Sequence, residues 1–292
     1  MPTNYLPMKT KLHKIIIIAV VIITTAIISV TGCLEKAFVF FGLKRLPDSA
    51  DAVRFVDVGQ GDCTLVQSDG AVMLIDTGDA SHAISLCNYI RSLGFERIDR
   101  VIITHPHADH LGGLATLCKR IQVDSVYITS VPPTESKDLE ALDGFKESYS
   151  GEIVSLAEMD DFRFGGFEVK TVFFDEDAAD ENDRSAVISL GFGEYDFLIT
   201  GDISGNDVNI NHPTNVLKIA HHGSETGTSA EFLSAVKPDY AIISVGADNS
   251  YDHPSDEVIS RLKESGAKIY RTDCNGTVSF LLDDGIQIIT EY

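Results

Sequence analysis

The sequence lacks tryptophan, and only 8% of its residues are aromatic, so few rings are available to stack on bases or sugars. Basic residues are also scarce: 23 Lys and Arg stand against 44 Asp and Glu, which gives a formal net charge of −21. Proteins that hold nucleic acid along a surface depend on many Lys and Arg contacts to phosphates. The acidic balance therefore argues against a nucleic-acid coat.

Proline and glycine are too few for a low-complexity or collagen-like chain, with 9 and 23 in 292 residues. Hydrophobic residues make up 44% of the chain and charged residues 23%, which are ordinary globular values. A chain of this length can bury a large core as one or two domains. Because no linker rich in Gly, Pro or Ser divides it, we expect one domain over residues 51–292.

Charge is absent from residues 15–30, which form an apolar run. The segment before this run is basic and contains Lys9, Lys11 and Lys14. A basic N-terminal region, an apolar stretch and small residues before a cleavage site are typical of an export signal. Because Thr31 and Gly32 precede Cys33, the segment resembles a bacterial lipobox, in which Cys33 becomes the lipidated first residue.

The alternative interpretation of this segment is an uncleaved membrane anchor, since residues 15–34 approach the roughly 20 residues that span a bilayer. In both cases the lysines stay inside and the bulk of the chain lies outside. We therefore assign residues 1–32 to a signal peptide or anchor and 33–50 to a tether. We expect an extracytoplasmic protein held to the bacterial membrane by a lipid or a helix.

Cysteine is sparse, and the four residues beyond Cys33 are widely and irregularly spaced. They are Cys63, Cys87, Cys118 and Cys274. Their even number permits two disulfides in any of three pairings. Without a C-x-x-C pair they indicate neither a zinc knuckle nor a redox site, and we expect each to be a small buried hydrophobe.

From residue 53 onward, short apolar runs alternate with turn residues. About a dozen predicted strands fall in two batches, and each batch is accompanied by helices, at 82–93, 112–120, 229–236 and 255–265. This pattern predicts an α+β fold with two packed mixed sheets and helices on the outer faces. Residues 130–164 are poorly patterned, and we expect a surface insertion of loops and a helix there.

Three of the nine histidines lie within six residues, directly after the apolar segment 101–104. They are His105, His107 and His110, and Asp109 stands among them. Because buried polar groups are unfavourable unless they are paired or coordinated, metal binding is the direct explanation for this cluster. Neutral imidazole and carboxylate suit zinc, manganese and iron, so the ligand types do not specify the metal.

This H-x-H-x-D-H element resembles the metallo-β-lactamase superfamily, and further landmarks of that family follow the expected order. They are Asp76-Thr77-Gly78, Gly201-Asp202 and His221. The resemblance implies an αββα sandwich with a dinuclear site at the sheet edges that holds two divalent ions, zinc or manganese. By position, His105 and His107 would bind one ion, Asp109, His110 and His221 would bind the other, and Asp202 would bridge them.

Four more motifs resemble one branch of the superfamily, the C-terminal metallohydrolase domain of ComEC-type competence proteins. They occupy residues 58–62, 217–224, 251–254 and 270–273. The resemblance covers the hydrolase domain alone, without the multi-span channel of those proteins. It implies a metal-dependent phosphodiesterase or nuclease in which two ions activate water as hydroxide.

One departure from the family is that residues 111–201 contain no histidine, so the first ion lacks its third histidine ligand. The nearest substitutes are Asp180, Asn182 and Asp183. Oxygen ligands would favour manganese or weaken the site. A solvated acidic loop is an equal alternative for these residues.

The remaining roles follow from the resemblance and from side-chain chemistry. Asp109 would orient the nucleophile, and His253 or His222 would protonate the leaving oxygen, since imidazole titrates near neutral pH. Lys218 and Ser224 would hold a phosphate oxygen, unless Lys218 is an outward residue on a strand. Asp62 would support the turn beneath the metals, and Asp76 would orient a metal ligand from behind.

The substrate remains open at this stage, since either a nucleic-acid end or a cell-wall polymer would supply the phosphodiester. One alternative is a phosphodiesterase that acts on phosphocholine-bearing teichoic acid. A third alternative, from a different class, is a surface binding module that holds metal without turnover. The sequence indicates no protein partner.

Overall fold

The computed structural model describes residues 50–204, 213–283 and 285–292, which belong to one compact unit. The predicted export segment, Cys33 and all but the last residue of the predicted tether lie outside the described residues. Among the helices of the described part, none combines the length and the apolar character that crossing a membrane requires.

The described residues form fifteen strands and seven α-helices. The strands are β1 (Ala52–Phe55), β2 (Thr64–Ser68), β3 (Ala71–Ile75), β4 (Arg97–Ile102), β5 (Gln122–Ile128), β6 (Glu152–Ser155), β7 (Phe162–Phe164), β8 (Phe167–Phe173), β9 (Val187–Phe192), β10 (Tyr195–Ile199), β11 (Val216–Lys218), β12 (Tyr240–Ile243), β13 (Lys268–Arg271), β14 (Val278–Leu281) and β15 (Gln287–Thr290). The helices are α1 (Ala83–Ser92), α2 (Ala108–Leu111), α3 (Leu114–Arg120), α4 (Ser136–Ser148), α5 (Ala230–Val236), α6 (Asp256–Ser265) and α7 (Thr272–Asn275).

The strands form two mixed sheets. The first has eight strands in the order β15-β14-β1-β2-β3-β4-β5-β6, and the second has seven in the order β13-β12-β11-β10-β9-β8-β7. In the first sheet β3 to β6 run parallel, and in the second β10 to β13 run parallel. The carboxyl ends of parallel strands meet at one edge of a sheet, and such edges are where ligands commonly bind.

Aromatic side chains join the two sheets in the central core. The ring of Phe280 lies 6.0 Å from Phe55 in its own sheet, 5.6 Å from Phe197 and 5.7 Å from Tyr240 in the other sheet. Such edge-on ring pairs stabilise a core beyond the area that they bury. These buried side chains form the inner layer of the sandwich.

Helices cover both outer faces. Apolar residues of α1, α3 and α4 pack against the first sheet, and those of α5 and α6 pack against the second. Helices α5 and α6 begin as predicted, because Ser229 accepts a hydrogen bond from the Phe232 amide and Ser255 accepts one from the Val258 amide. The predicted αββα sandwich of two mixed sheets is confirmed.

Two sequence expectations need correction. The segment 130–164 contains the expected helix, α4, but also strands β6 and β7, which extend one edge of each sheet. Strand β6 is largely exposed, so it lacks the apolar pattern that reveals a strand. Cys63 and Cys87 are buried, as expected, but Cys118 is half-buried and Cys274 is exposed, and all four are free thiols.

Candidate metal centre

The predicted site residues meet where strands of both sheets end. Asp76 follows β3 and the segment 105–110 follows β4 in the first sheet, while Asp202 follows β10 and His221 follows β11 in the second. Since β3 runs parallel to β4, and β10 to β11, the carboxyl ends of each pair lie side by side. The sandwich brings these two edges together around one cluster of imidazoles and carboxylates.

Backbone contacts hold the segment 105–110 in place. The His110 carbonyl accepts hydrogen bonds from the Thr77 amide (2.7 Å) and hydroxyl (3.0 Å). The Asp109 carbonyl accepts one from the Asp62 amide (3.1 Å). A Cβ at Gly61 would lie 2.4 Å from that same carbonyl, so this turn requires glycine.

Asp76 lies behind His110 and orients its ring. Its Oδ2 is 2.9 Å from His110 Nδ1, and its two oxygens accept hydrogen bonds from the amide (2.7 Å) and hydroxyl (2.8 Å) of Thr104. The pair is almost fully buried, and the far nitrogen, His110 Nε2, lies 3.3 Å from Asp202 Oδ2. A carboxylate that holds one ring nitrogen leaves the other directed at a metal position.

Four side chains form a compact donor group whose ligand atoms all lie within 4.8 Å of one another. They are Asp109, His110, Asp202 and His222. His222 Nε2 lies 3.2 Å from Asp109 Oδ2 and 3.6 Å from Asp202 Oδ2. Because metal–ligand distances are about 2 Å, donors at this spacing fit around one divalent ion.

This group contains His222, whereas His221 was predicted to be the ligand at this position. Both histidines have left-handed φ angles, 50° and 51°, in the turn Ala220–Gly223, so successive rings diverge. His222 is buried, with Nδ1 2.9 Å from the Ser244 carbonyl oxygen, while His221 faces the cleft and its Nε2 lies 3.9 Å from Asp202 Oδ2. The predicted proton-donor role of His222 is therefore at odds with its enclosed position among metal-site donors.

His105 and His107 lie beside this group. Their ring centroids are 4.5 Å apart, and His105 is 4.1 Å from His110 by the same measure. His105 is fully buried, its Nδ1 lies 3.1 Å from Ser185 Oγ, and its Nε2 has no hydrogen-bond partner within the described ranges. A buried nitrogen without a partner fits a metal ligand.

The acidic side chain beside His107 is Glu181, which the sequence argument missed. Its Oε2 lies 3.3 Å from His107 Nε2. Of the predicted substitutes, Asp180 accepts the Asn182 amide (2.9 Å) and Asp183 accepts the Ser204 amide (2.8 Å), so both carboxylates stabilise loop backbone. Asn182, the third, lines the cleft together with His107. Glu181 belongs to the same acidic loop, and no local pattern singles it out.

Burial and neighbouring charges shift the pKa values of the cluster. Burial alone would raise the pKa of Asp202, but His110 and His222 outweigh it and hold the pKa well below its usual range. Burial lowers the pKa of His105 well below its usual value, and the neighbouring His110 adds to the effect. His105 is therefore a neutral imidazole, as metal coordination requires. In contrast, although burial opposes both shifts, neighbouring carboxylates raise the pKa of His110 well above its usual value and that of His222 to about 10. These two rings must release protons when a metal ion binds.

Lys218 does not face the cleft, which corrects its predicted phosphate-holding role. Its side chain is 1% exposed and forms an ion pair with Asp62, whose side chain is 4% exposed. Asp62 Oδ1 also lies 3.4 Å from His222 Nδ1. The Asp62–Lys218 pair therefore supports the cluster from beneath, as expected for Asp62, and Lys218 is out of reach of a substrate.

A cleft of about 160 Å³ opens over the cluster. Its lining includes Asp109, Lys137, Asp202, His221, Tyr251 and His253. Among the described residues that line the cleft, Lys137 of α4 is the one lysine or arginine, and it was not predicted from the sequence. Tyr251 is 60% exposed, and its ring stacks at 5.8 Å and 25° on His253.

Ser224 is not part of this lining. Its amide donates to the His221 carbonyl at 2.7 Å, and its hydroxyl lies 3.3 Å from the Thr226 hydroxyl. The residue closes the turn that carries both histidines. A contact between Ser224 and a phosphate stays a prediction.

An αββα sandwich with this cluster at its strand ends defines the metallo-β-lactamase class of folds. The model of the Metallo-beta-lactamase superfamily matches residues 56–247, and the chain belongs to this family. Among solved structures, the metallo-beta-lactamase fold protein YhfI from Bacillus subtilis superposes with a TM-score of 0.55 at 14% identity, over 78% of this chain and 99% of that one. At this identity the likeness concerns the fold alone.

Two curated relatives indicate which branch of the superfamily the chain resembles. The chain is 29% identical over 295 residues to ComE operon protein 3 of Bacillus subtilis (strain 168), which covers 90% of this chain and 37% of that protein. It is 30% identical over 261 residues to Competence protein ComA of Neisseria gonorrhoeae, which covers 86% of this chain and 35% of that protein. The chain spans about a third of these relatives' length, and the predicted resemblance to ComEC-type proteins is confirmed.

Proposed function

We propose that this protein is a metal-dependent phosphodiesterase that cleaves nucleic acid at a strand end. The observation that carries the proposal is the donor group of Asp109, His110, Asp202 and His222, which lies at the floor of a cleft lined by Lys137 and Tyr251. Carboxylates and imidazoles suit divalent cations, and a neighbouring cation and ring suit a nucleotide phosphate and base.

We propose that the donors are divided between two divalent ions. Asp109, His110 and His222 would hold one, His105 and His107 would hold the other, and Asp202 would be shared between them. When bound, the ions supply an activated water nucleophile and polarise the phosphoryl oxygen. Zinc and manganese both suit this donor set.

The chain's own groups bind and orient the substrate. Lys137 binds a phosphate oxygen at the mouth of the cleft, where its ammonium offsets the surrounding acids. Asp109 orients the nucleophile: burial would raise its pKa, but His222 and His110 outweigh this effect and keep the carboxylate ionised. His253 lines the cleft and is the proposed proton donor to the leaving oxygen, because His222 is enclosed among the metal donors. Burial and the neighbouring His221 lower the pKa of His253, so this role requires that the bound phosphate raise it again.

The net charge of −21 favours a strand end over a long polymer, because repulsion grows with every phosphate that lies away from the cations. Tyr251 offers a solvent-exposed ring beside His253 on which a terminal base can stack. Stacking on one aromatic ring is sequence-tolerant. The proposed enzyme therefore needs no base-specific contacts.

The test is a substrate panel with the purified full chain and added Mn²⁺ or Zn²⁺. The panel contains bis-p-nitrophenyl phosphate, a dinucleotide, long duplex DNA and a phosphocholine-bearing teichoic acid fragment. We expect turnover of the first two, slow cleavage of the duplex and loss of activity in Asp202→Asn, while the matched loop variant Asp180→Asn keeps it. Faster turnover of the teichoic acid fragment would favour the cell-wall alternative, and no turnover by the metal-loaded wild type would favour the binding module.

We further propose that the protein acts outside the cell membrane, to which it is attached through its N-terminal segment. The support is the order of Lys9, Lys11 and Lys14, the apolar residues 15–30 and Cys33. A clickable fatty-acid label should be incorporated in wild type and lost in Cys33→Ser. A protein that stays in the membrane fraction without label would instead have an uncleaved anchor.

A further inference from the structure

The His107–Glu181 contact joins two chain segments 74 residues apart. The side chains are 20% and 14% exposed, so the contact is partly enclosed at the edge of the cleft. His107 belongs to the H-x-H-x-D-H element, and Glu181 lies in the stretch where the family's third histidine is absent. The Glu181 carboxylate thus lies next to His107, a predicted ligand of the ion that lacks its third histidine.

The two carboxylate oxygens of Glu181 have different partners. Its Oε1 accepts hydrogen bonds from the Thr134 amide, at 2.9 Å, and from the Thr134 hydroxyl. Its Oε2 points to His107 Nε2. A carboxylate anchored through one oxygen presents the other in a defined position, which is how metal-binding carboxylates are held in place.

Two buried polar atoms near this contact have no hydrogen-bond partner in the part of the chain that the structure describes. They are His105 Nε2 and Asp138 Oδ2, and both residues are 0% exposed. Asp138 Oδ1 accepts the Ala108 amide at 2.7 Å, which anchors α4 to the histidine segment. A buried polar atom without a partner is unfavourable, and a cation would supply the partner that His105 lacks.

We propose that Glu181 replaces the missing histidine as a ligand of the first metal, together with His105, His107 and the shared Asp202. This inference rests on the proposed metal-dependent function and names the ligand on which its first ion depends. Two carboxylates with two imidazoles form a harder donor set than three imidazoles with one carboxylate. The first site therefore favours Zn²⁺ over Mn²⁺ or Fe²⁺ less strongly than a three-histidine site does.

The experiment compares Glu181→Gln with wild type in the full chain by equilibrium dialysis against Mn²⁺, with metal content measured by mass spectrometry. Glutamine retains an oxygen that accepts from Thr134 but removes the ligand charge. We expect two ions per chain in wild type and one in Glu181→Gln at the same free Mn²⁺, with the first-site Kd raised at least about tenfold. Electron paramagnetic resonance should change from the spectrum of two coupled Mn²⁺ ions to that of an isolated ion.

Two controls keep the result specific. Asp180→Asn changes the neighbouring loop carboxylate, which accepts the Asn182 amide, and it should still bind two ions. Glu181→Asp keeps the charge on a shorter stem and should bind the first ion with intermediate affinity, which also tests the proposal if Glu181→Gln does not fold. Circular dichroism verifies the fold of each variant.

Two outcomes would overturn the inference. The first is wild-type stoichiometry and affinity in Glu181→Gln or, if that variant does not fold, in Glu181→Asp. The second is loss of an ion in Asp138→Asn but not in His105→Ala, since His107, Asp138 and Glu181 would then form a separate site. If wild type binds two ions but cleaves no diester, the proposed function fails while these binding measurements still decide the role of Glu181.

Discussion

At the scale of single residues, side chains at the mouth of the cleft determine what the site can bind. Lys137 contributes a positive charge there, and Tyr251 contributes an exposed aromatic ring. The carboxylates and imidazoles of the donor group contact one another instead. Neither residue belongs to the histidine motif. Their contributions can therefore be measured separately from metal binding.

Replacing Lys137 by alanine should raise KM for a dinucleotide about tenfold, since a hydrogen bond to a charged group contributes about 1.5–3 kcal/mol and solvent exposure reduces that figure. Steady-state kinetics with saturating metal measures the effect. Lys146→Ala is the matched control, because Lys146 is an exposed residue in the last turn of the same helix. Equal KM values in the two variants would remove Lys137 from the substrate site.

Tyr251→Ala should raise KM for a dinucleotide about tenfold, because stacking of a base on an aromatic ring contributes roughly 1–3 kcal/mol. KM for glycerophosphocholine, which has no ring, should stay unchanged. Tyr251→Phe retains the ring and should resemble wild type. A parallel loss on both substrates would mean that Tyr251 positions His253 and does not bind the base.

At the scale of elements, a buried ion pair connects the turn after β1 with the end of β11. Lys218 lies on β11 and Asp62 in the turn, and His222 lies on the other side of the carboxylate. Burial would raise the pKa of Asp62, but Lys218 and His222 outweigh it and lower the pKa. The pair therefore stabilises the fold above the carboxylate's unfolded pKa, and this stabilisation is lost as the pH falls through the lower folded value.

Lys218→Met should reduce the free energy of unfolding by about 3–5 kcal/mol at neutral pH, because it leaves the buried Asp62 charge without its lysine. Urea denaturation followed by circular dichroism measures the loss. The double variant Asp62→Asn/Lys218→Met removes both charges and should recover part of it. An unchanged unfolding midpoint in Lys218→Met, with a raised KM for substrate, would restore the phosphate-holding role.

At the scale of the whole molecule, the candidate metal centre takes its donors from both sheets. His105, His107 and His110 follow a strand of the first sheet, and Asp202 and His222 follow strands of the second. Ions that bind donors from both sheets bind the folded chain and not the unfolded one. Metal binding is therefore expected to stabilise the sandwich as a unit.

Removing metal with a chelator should lower Tm by about 5–10 °C, since free metal at 100 times Kd stabilises a protein by about 2.7 kcal/mol. Scanning calorimetry with and without Mn²⁺ measures the shift. Asp202→Asn should show little shift, because it lacks the shared carboxylate. An unchanged Tm in metal-loaded and chelated wild type would contradict a centre that joins the two sheets.

The amino-acid sequence by itself determined the layered fold and the position of the histidine segment. Apolar periodicity and turn residues are local signals, and they located most strands, the Ser229 and Ser255 helix starts and the H-x-H-x-D-H element. They failed over 130–164, where exposed β6 carries no alternating pattern. An exposed strand needs no apolar residues on either face, so its sequence lacks the alternation from which strands are predicted.

Only the tertiary structure decided which side chains meet. His222 and Asp109 are 113 residues apart, and His107 and Glu181 are 74 apart, so no spacing in the chain predicts either contact. Tertiary packing likewise determines the positions of the two lysines. The packing of β11 buries Lys218, and the packing of α4 places Lys137 at the cleft. The physical reason is that a residue type defines what a side chain can bind, whereas packing defines which groups lie within reach of it.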